Sequence, residues 1–251
     1  MRRQQFSLKP INHRSQRYRR LVILFCLGWL LVFGLAGSSQ AQQLPDLQVY
    51  PLPPSLAKVA PGANYGDQLR QTPVGSLRWS QFPITVAIDL ADSRAPREAI
   101  WLKAVRQAIS EWHAYLPLVE TDNLERANII VRRSTVPIRR DQNGKLLRIR
   151  AAETRFDFFV DPDQYLRHRM TIYLSPNQAD GVLITTARHE MGHALGIWGH
   201  SDRPTDVMYF SQVAQTVGIT PRDIRTLRQV YQQSTRLGGK LITAEKPARS
   251  H

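Results

Sequence analysis

Cysteine is nearly missing from this chain of 251 residues: the single one, Cys26, lies in an apolar run near the N-terminus, and none follows it. That excludes a disulfide framework and any thiolate metal site beyond residue 26, so a metal bound there must be held by His, Asp or Glu. Internal repeats are also lacking. So is a recognisable nucleic-acid module, although the net charge of +14 first suggests one. Residues 1–41 hold seven Lys or Arg and no acid, which leaves 27 basic against 20 acidic residues elsewhere, near +7. A balance of that size is a solvated, mildly basic surface without the clustered stripe that nucleic acid needs, and no nucleic-acid partner is expected. Hydrophobic residues at 42% and charged residues at 22% are ordinary for a folded globular body.

What is present begins with seven basic residues, from Arg2 to Arg20, ahead of an apolar run from Leu21 to about Gly37 and the small-x-small pattern Ser39-Gln40-Ala41. This is the order of a secretory signal peptide over residues 1–41, with cleavage after Ala41, and it implies a secreted, periplasmic or extracellular protein. The alternative is an uncleaved single-pass signal anchor, the only way this sequence predicts a membrane contact. Cys26 follows Phe25 and not a small residue, which argues against a lipoprotein.

Residues 42–76 are rich in Pro, Gly, Gln and Ser without periodicity, and read as an extended linker or short pro-segment. Residues 83–89 are β-branched and apolar and predict a buried strand. Ser93 and Pro96 mark a helix start, and Ile100, Ala104, Val105, Ala108, Ile109 and Trp112 recur at helical spacing. Strands are expected at 127–131 and 170–174, with a hairpin at Asn143-Gly144 whose second arm runs through 148–160. A second helix spans 179–195. A third opens at Thr220-Pro221 with Ile224, Leu227, Val230 and Tyr231 on its apolar face. The basic tail, 234–251, is expected to be disordered. Together these predict one α/β or α+β domain over residues 77–233.

The chemistry concentrates at His189-Glu190-Met191-Gly192-His193. On a helix His189 and His193 are i and i+4, so both imidazoles leave one face, and two nitrogen ligands at that spacing suit zinc. Glu190, one residue round, is placed to take a proton from metal-bound water. Gly196 falls where the helix must stop and turn back. The turn brings His200 as the third ligand, with Asp202 and Asp206 as substitutes. Three protein ligands leave a fourth position open, the catalytic zinc arrangement.

The stretch His189-Glu190-x-x-His193-x-x-Gly196, then His200 and Asp206-Val207-Met208-Tyr209, resembles the metzincin metalloproteases, most of all the matrixin branch. The family pattern places its third His where Gly199 stands here, so His200 comes one residue late. The resemblance implies an α+β (α/β-like) catalytic domain with a mixed, twisted sheet of about five strands, three helices, and a Met-turn in which Met208 lies beneath the metal without ligating it. It implies a zinc endopeptidase in which Glu190 activates the zinc-bound water. The protein or peptide substrate would lie along an edge strand, either 170–174 or the arm before it. Tyr209 is not expected to be a ligand.

The cysteine switch of many matrixins is absent. Tyr65-Gly66-Asp67 faintly resembles the aspartate switch of another metzincin branch, but reads first as a Gly-Asp turn. Asp161 and Asp163 flank Pro162 and read as a turn in preference to a calcium site. The main rival function is a catalytically silent, zinc-bound module that binds peptides or cell-surface material, against which the intact Glu190 argues. A non-peptidase zinc hydrolase is opposed by the Gly196, His200 and Met208 extension. Monomer is the default.

Overall fold

The β-branched runs become the middle of one sheet. A computed structural model describes residues 43–90, 97–138, 140–144, 146, 150–211 and 215–242. The expected signal segment, the helix-start residues Ser93 and Pro96, residues 148–149 and the tail beyond 242 lie outside the described residues. The strands are β1 (Ile84–Asp89), β2 (Leu118–Glu120), β3 (Ile129–Arg133), β4 (Ala152–Val160) and β5 (Leu166–Leu174). They pair in the order β2-β1-β3-β5-β4. All pairs are parallel except β4 with β5, so the sheet is mixed. Alternate residues, Ile84 and Val86, Ile129 and Val131, Met170, Ile172 and Leu174, supply its core face.

The Asn143-Gly144 reversal is present as a local hairpin, with Arg140 bridged antiparallel to Leu146, but its expected second arm, over 152–160, pairs elsewhere. A turn is present, with Gly144 N donating to Asp141 O at 3.0 Å. The strands on either side of it are not partners, however. β5 lies between them, paired with β3 on one side and with β4 on the other. A turn signal fixes a local reversal only; the apolar register of β5 against β3 fixes the pairing. As a result 170–174 is interior, and β4 is an edge strand, as β2 is at the other end of the sheet.

The helices are α1 (Pro54–Ala57), a short turn not expected from the sequence, and α2 (Glu98–His113), α3 (Asp180–Ala194) and α4 (Pro221–Gln232), which follow the expected spans closely. In α2 the buried stripe begins at Trp101, whose indole donates to Leu174 O at 3.2 Å, while Ile100 is exposed. Counting back by three and four from Ala104, Val105 and Ala108 reaches 101, so the stripe is shifted by one residue at its start. In α4 the capping box of Thr220 and Asp223 and the Pro at the first turn are all present. Among the described residues no helix is long and apolar enough to cross a membrane.

The two flanking segments are more ordered than their composition suggests. Residues 43–76 lie against the body through buried Leu56, Tyr65 and Val74. Gln48 and Thr235 exchange backbone bonds at 2.9 Å, and Gln43 is bridged to Ile242. The part of the tail at 234–242, expected to be disordered, is packed: Thr235 and Leu237 are buried, and Leu166 N donates to Gly239 O at 2.9 Å. Arg78 fastens the first of these segments to α4. Its buried guanidinium donates to the carbonyls of Tyr50, Pro51 and Tyr231. Backbone bonds and single anchors do this work, and they leave no periodicity in the sequence.

His168 of β5 is buried and stacked on Trp79 with ring centroids 3.8 Å apart, and its Nε2 has no partner among the described residues. Burial pushes its pKa down to about 3. The unfolded chain, with a pKa near 6.5, takes up the proton first, so stability is full above about pH 6.5 and is lost as pH falls toward 3. We predict that His168→Phe is more stable relative to wild type at pH 5 than at pH 7 by about 2 kcal/mol. Urea unfolding at the two pH values checks this; equal differences would refute it.

Candidate metal centre

Helix α3 carries the first two histidines because its sequence alternates buried apolar and polar positions through Leu183, Ala187 and Met191, seating it under the sheet and against α2. Trp112 of α2 donates its indole N–H to Arg188 O at 2.9 Å. The Arg188 guanidinium grips Glu111 at 2.6 and 2.7 Å and the Val217 carbonyl at 2.9 Å. These bonds fix the rotation of α3, and with it the direction of His189 and His193.

The helix ends where expected. Gly196 has φ of +114°, a conformation L side chains rarely adopt, and it turns the chain back. His200 is returned to the pair: ligand atoms of His189, His193 and His200 all lie within 4.8 Å of one another. The supporting bonds decide which nitrogens are free. Nδ1 of His189 is 2.8 Å from Val207 O, and Nδ1 of His193 is 2.8 Å from Ile197 O. A carbonyl only accepts, so each Nδ1 carries the proton and each Nε2 keeps its lone pair for a metal. Burial holds His193 well below the usual histidine range and His200 at about 4, aided by the neighbouring imidazole of His189. Both rings are then neutral at pH 7, the form that ligates. Three imidazoles, two of them with fixed tautomers, fit a zinc ion.

The substitute ligands are used elsewhere. Asp202 is exposed and paired with Arg222 at 2.8 Å. Asp206 accepts from Ser201, Thr220 and Arg222. Asp67 is exposed, in a 3-10 turn at Gly66–Gln68, and accepts from Gln68 at 2.9 Å. Asp161 accepts from Tyr165 N and Arg167, so its carboxylate closes a turn.

Met208 is fully buried in the turn after the ligand loop, where Ser201 N donates to Met208 O at 2.7 Å. Asp223, at the start of α4, accepts from Val207 N at 3.1 Å and Met208 N at 3.4 Å. The turn is thus tied to α4 on one side and, through Val207 O, to His189 on the other.

Glu190 is buried, and its Oε2 lies 2.6 Å from the Thr154 hydroxyl of β4, which also lies 3.1 Å from Glu190 O. Burial raises its pKa, opposed by His189 and by Thr154. Thr154 was not singled out from the sequence, where a threonine in a strand carries no signal beyond β propensity.

A model of the matrixin family matches residues 78–232. The chain belongs to the matrixin family. The matched span of this matrixin runs from just before Trp79 to the end of α4 and contains the whole His cluster, so the domain is that of a zinc metallopeptidase. No curated protein matches this matrixin significantly.

Proposed function

We propose that the chain is an exported zinc endopeptidase with His189, His193 and His200 as metal ligands and Glu190 as general base. The observation that carries this is the convergence of three ligand nitrogens within 4.8 Å, two of them on a helix that also presents a buried carboxylate. Zinc, when bound, supplies Lewis acidity and lowers the pKa of water to about 7. Glu190 accepts the proton of the attacking water and passes it to the leaving amine. Thr154 holds one carboxylate oxygen and leaves the other free for that exchange. Met208 and Gly196 shape the floor and the turn and ligate nothing.

The free edge of β4 supports a substrate that adds as a strand, with backbone bonds for affinity and alternate side chains for selection. The order of basic, apolar and small residues in 1–41 supports export.

The test is zinc content and cleavage of casein by the purified protein. About one zinc per chain, cleavage, and loss of cleavage on chelation with return on adding zinc are expected. Zinc binding without cleavage of casein or of a peptide library would favour the silent binding module. A folded protein that binds no zinc would end the metal assignment.

A further inference from the structure

The third ligand is held differently from the other two. His189 and His193 each have a ring nitrogen bonded to a carbonyl, whereas the His200 ring has no hydrogen-bond partner among the described residues. Apart from ring contacts with His189 and His193, at 5.3 and 4.9 Å between centroids, its place is set by its backbone. On the C-terminal side, Ser201 is bonded to Met208 and bridged to Tyr209. On the N-terminal side, the restraint comes from far away in sequence. Leu69 pairs antiparallel with Gly199, and Arg70 N donates to Trp198 O at 2.8 Å.

This contact is unusually close. A Cβ at residue 199 would meet Gln68 O at 2.3 Å and Leu69 Cα at 3.0 Å, so only Gly lets the two backbones lie together. Gly199 is also the residue by which His200 comes late relative to the family pattern. The extra residue is absorbed by pairing with the N-terminal segment. That segment is anchored a few residues upstream, where Tyr65 N donates to Thr226 Oγ1 at 3.1 Å and Tyr65 OH to Asp223 Oδ1 at 2.6 Å.

We infer that residues 66–70 are a positioning element for the metal centre: by pairing with 198–199 they hold His200 in the ligand set. The segment before the matched domain is then a working part of the site and not a removable leader. The inference rests on His200 being the third ligand, as proposed above.

Two substitutions in the full chain attack the pairing from opposite sides. Gly199→Ala drives a Cβ into Gln68 O; Arg70→Pro removes the N–H given to Trp198 and leaves the ligand loop unaltered. Both are expected to weaken zinc binding, read by chelator competition, by about 10–100-fold, the usual effect of losing a support of a ligand. With cobalt(II) in place of zinc, their visible spectra should move toward that of His200→Ala. In the wild type, the Arg70 amide should exchange slowly with solvent, and more slowly when zinc is added.

Folded variants with wild-type zinc affinity and an unmoved cobalt spectrum would overturn the inference. So would a wild-type Arg70 amide that exchanges fast and takes no notice of zinc, a result that stands even if neither variant folds. A wild type that binds no zinc would overturn the proposed function as well; binding by the wild type with indifferent variants would overturn this inference alone.

Discussion

Glu190→Gln is expected to lower peptide hydrolysis by about 10³-fold while zinc content stays the same, the range in which a general base contributes. Gln is the informative replacement because it keeps the volume and an oxygen that accepts the Thr154 hydroxyl, whose present distance is 2.6 Å. What is removed is the carboxylate's charge and its ability to take a proton, with one oxygen becoming an NH₂. The buried site has room for little else, since Glu190 is 7% exposed. Ala would add a cavity and an unpaired Thr154, mixing stability with chemistry. Zinc should remain because the three clustered nitrogens are untouched. The measurement is kcat/KM on a quenched fluorescent peptide beside metal analysis of the same sample. More than a tenth of wild-type activity would remove Glu190 from the role of base; loss of zinc would mean that it helps hold the metal.

What could be read from the sequence was whatever is encoded by spacing along one element. His189 and His193 are four apart on a helix, and α3 presents them together. Thr220, Pro221 and Asp223 announce a helix start, and α4 starts there with both halves of its capping box. The chain reversal at Gly196 follows from one residue type at one place. The features that stayed hidden depend on which element meets which. β4 pairs with β5 and takes the sheet edge because of the register between β3 and β5, which an Asn-Gly turn cannot report. The tautomers of His189 and His193 are set by the carbonyls of Val207 and Ile197, groups that every residue possesses. The segments 43–76 and 234–242 are held by backbone bonds and by lone anchors such as Leu56, Tyr65 and Leu237, so their composition resembles that of a linker and a tail.

Asp223→Ala is expected to destabilise the metal-free protein by about 4 kcal/mol, because it strips a buried acceptor from several donors at once. Asp223 is fully buried. Its carboxylate accepts from Tyr65 OH at 2.6 Å, Thr220 N at 2.8 Å, Val207 N at 3.1 Å and Met208 N at 3.4 Å. Truncation to Ala removes the buried acceptor that these donors share. The charge is further supported by its position in the first turn of α4, where the helix dipole favours an anion. Asp223→Asn keeps one acceptor but turns an NH₂ toward donors, and should recover only part of the loss. Because the same carboxylate orders Val207, whose carbonyl fixes His189, zinc affinity should fall along with stability. Urea unfolding in excess chelator isolates the first effect, and chelator competition on the folded variant measures the second. A metal-free variant within about 1 kcal/mol of wild type would mean that the Met-turn stands without this carboxylate.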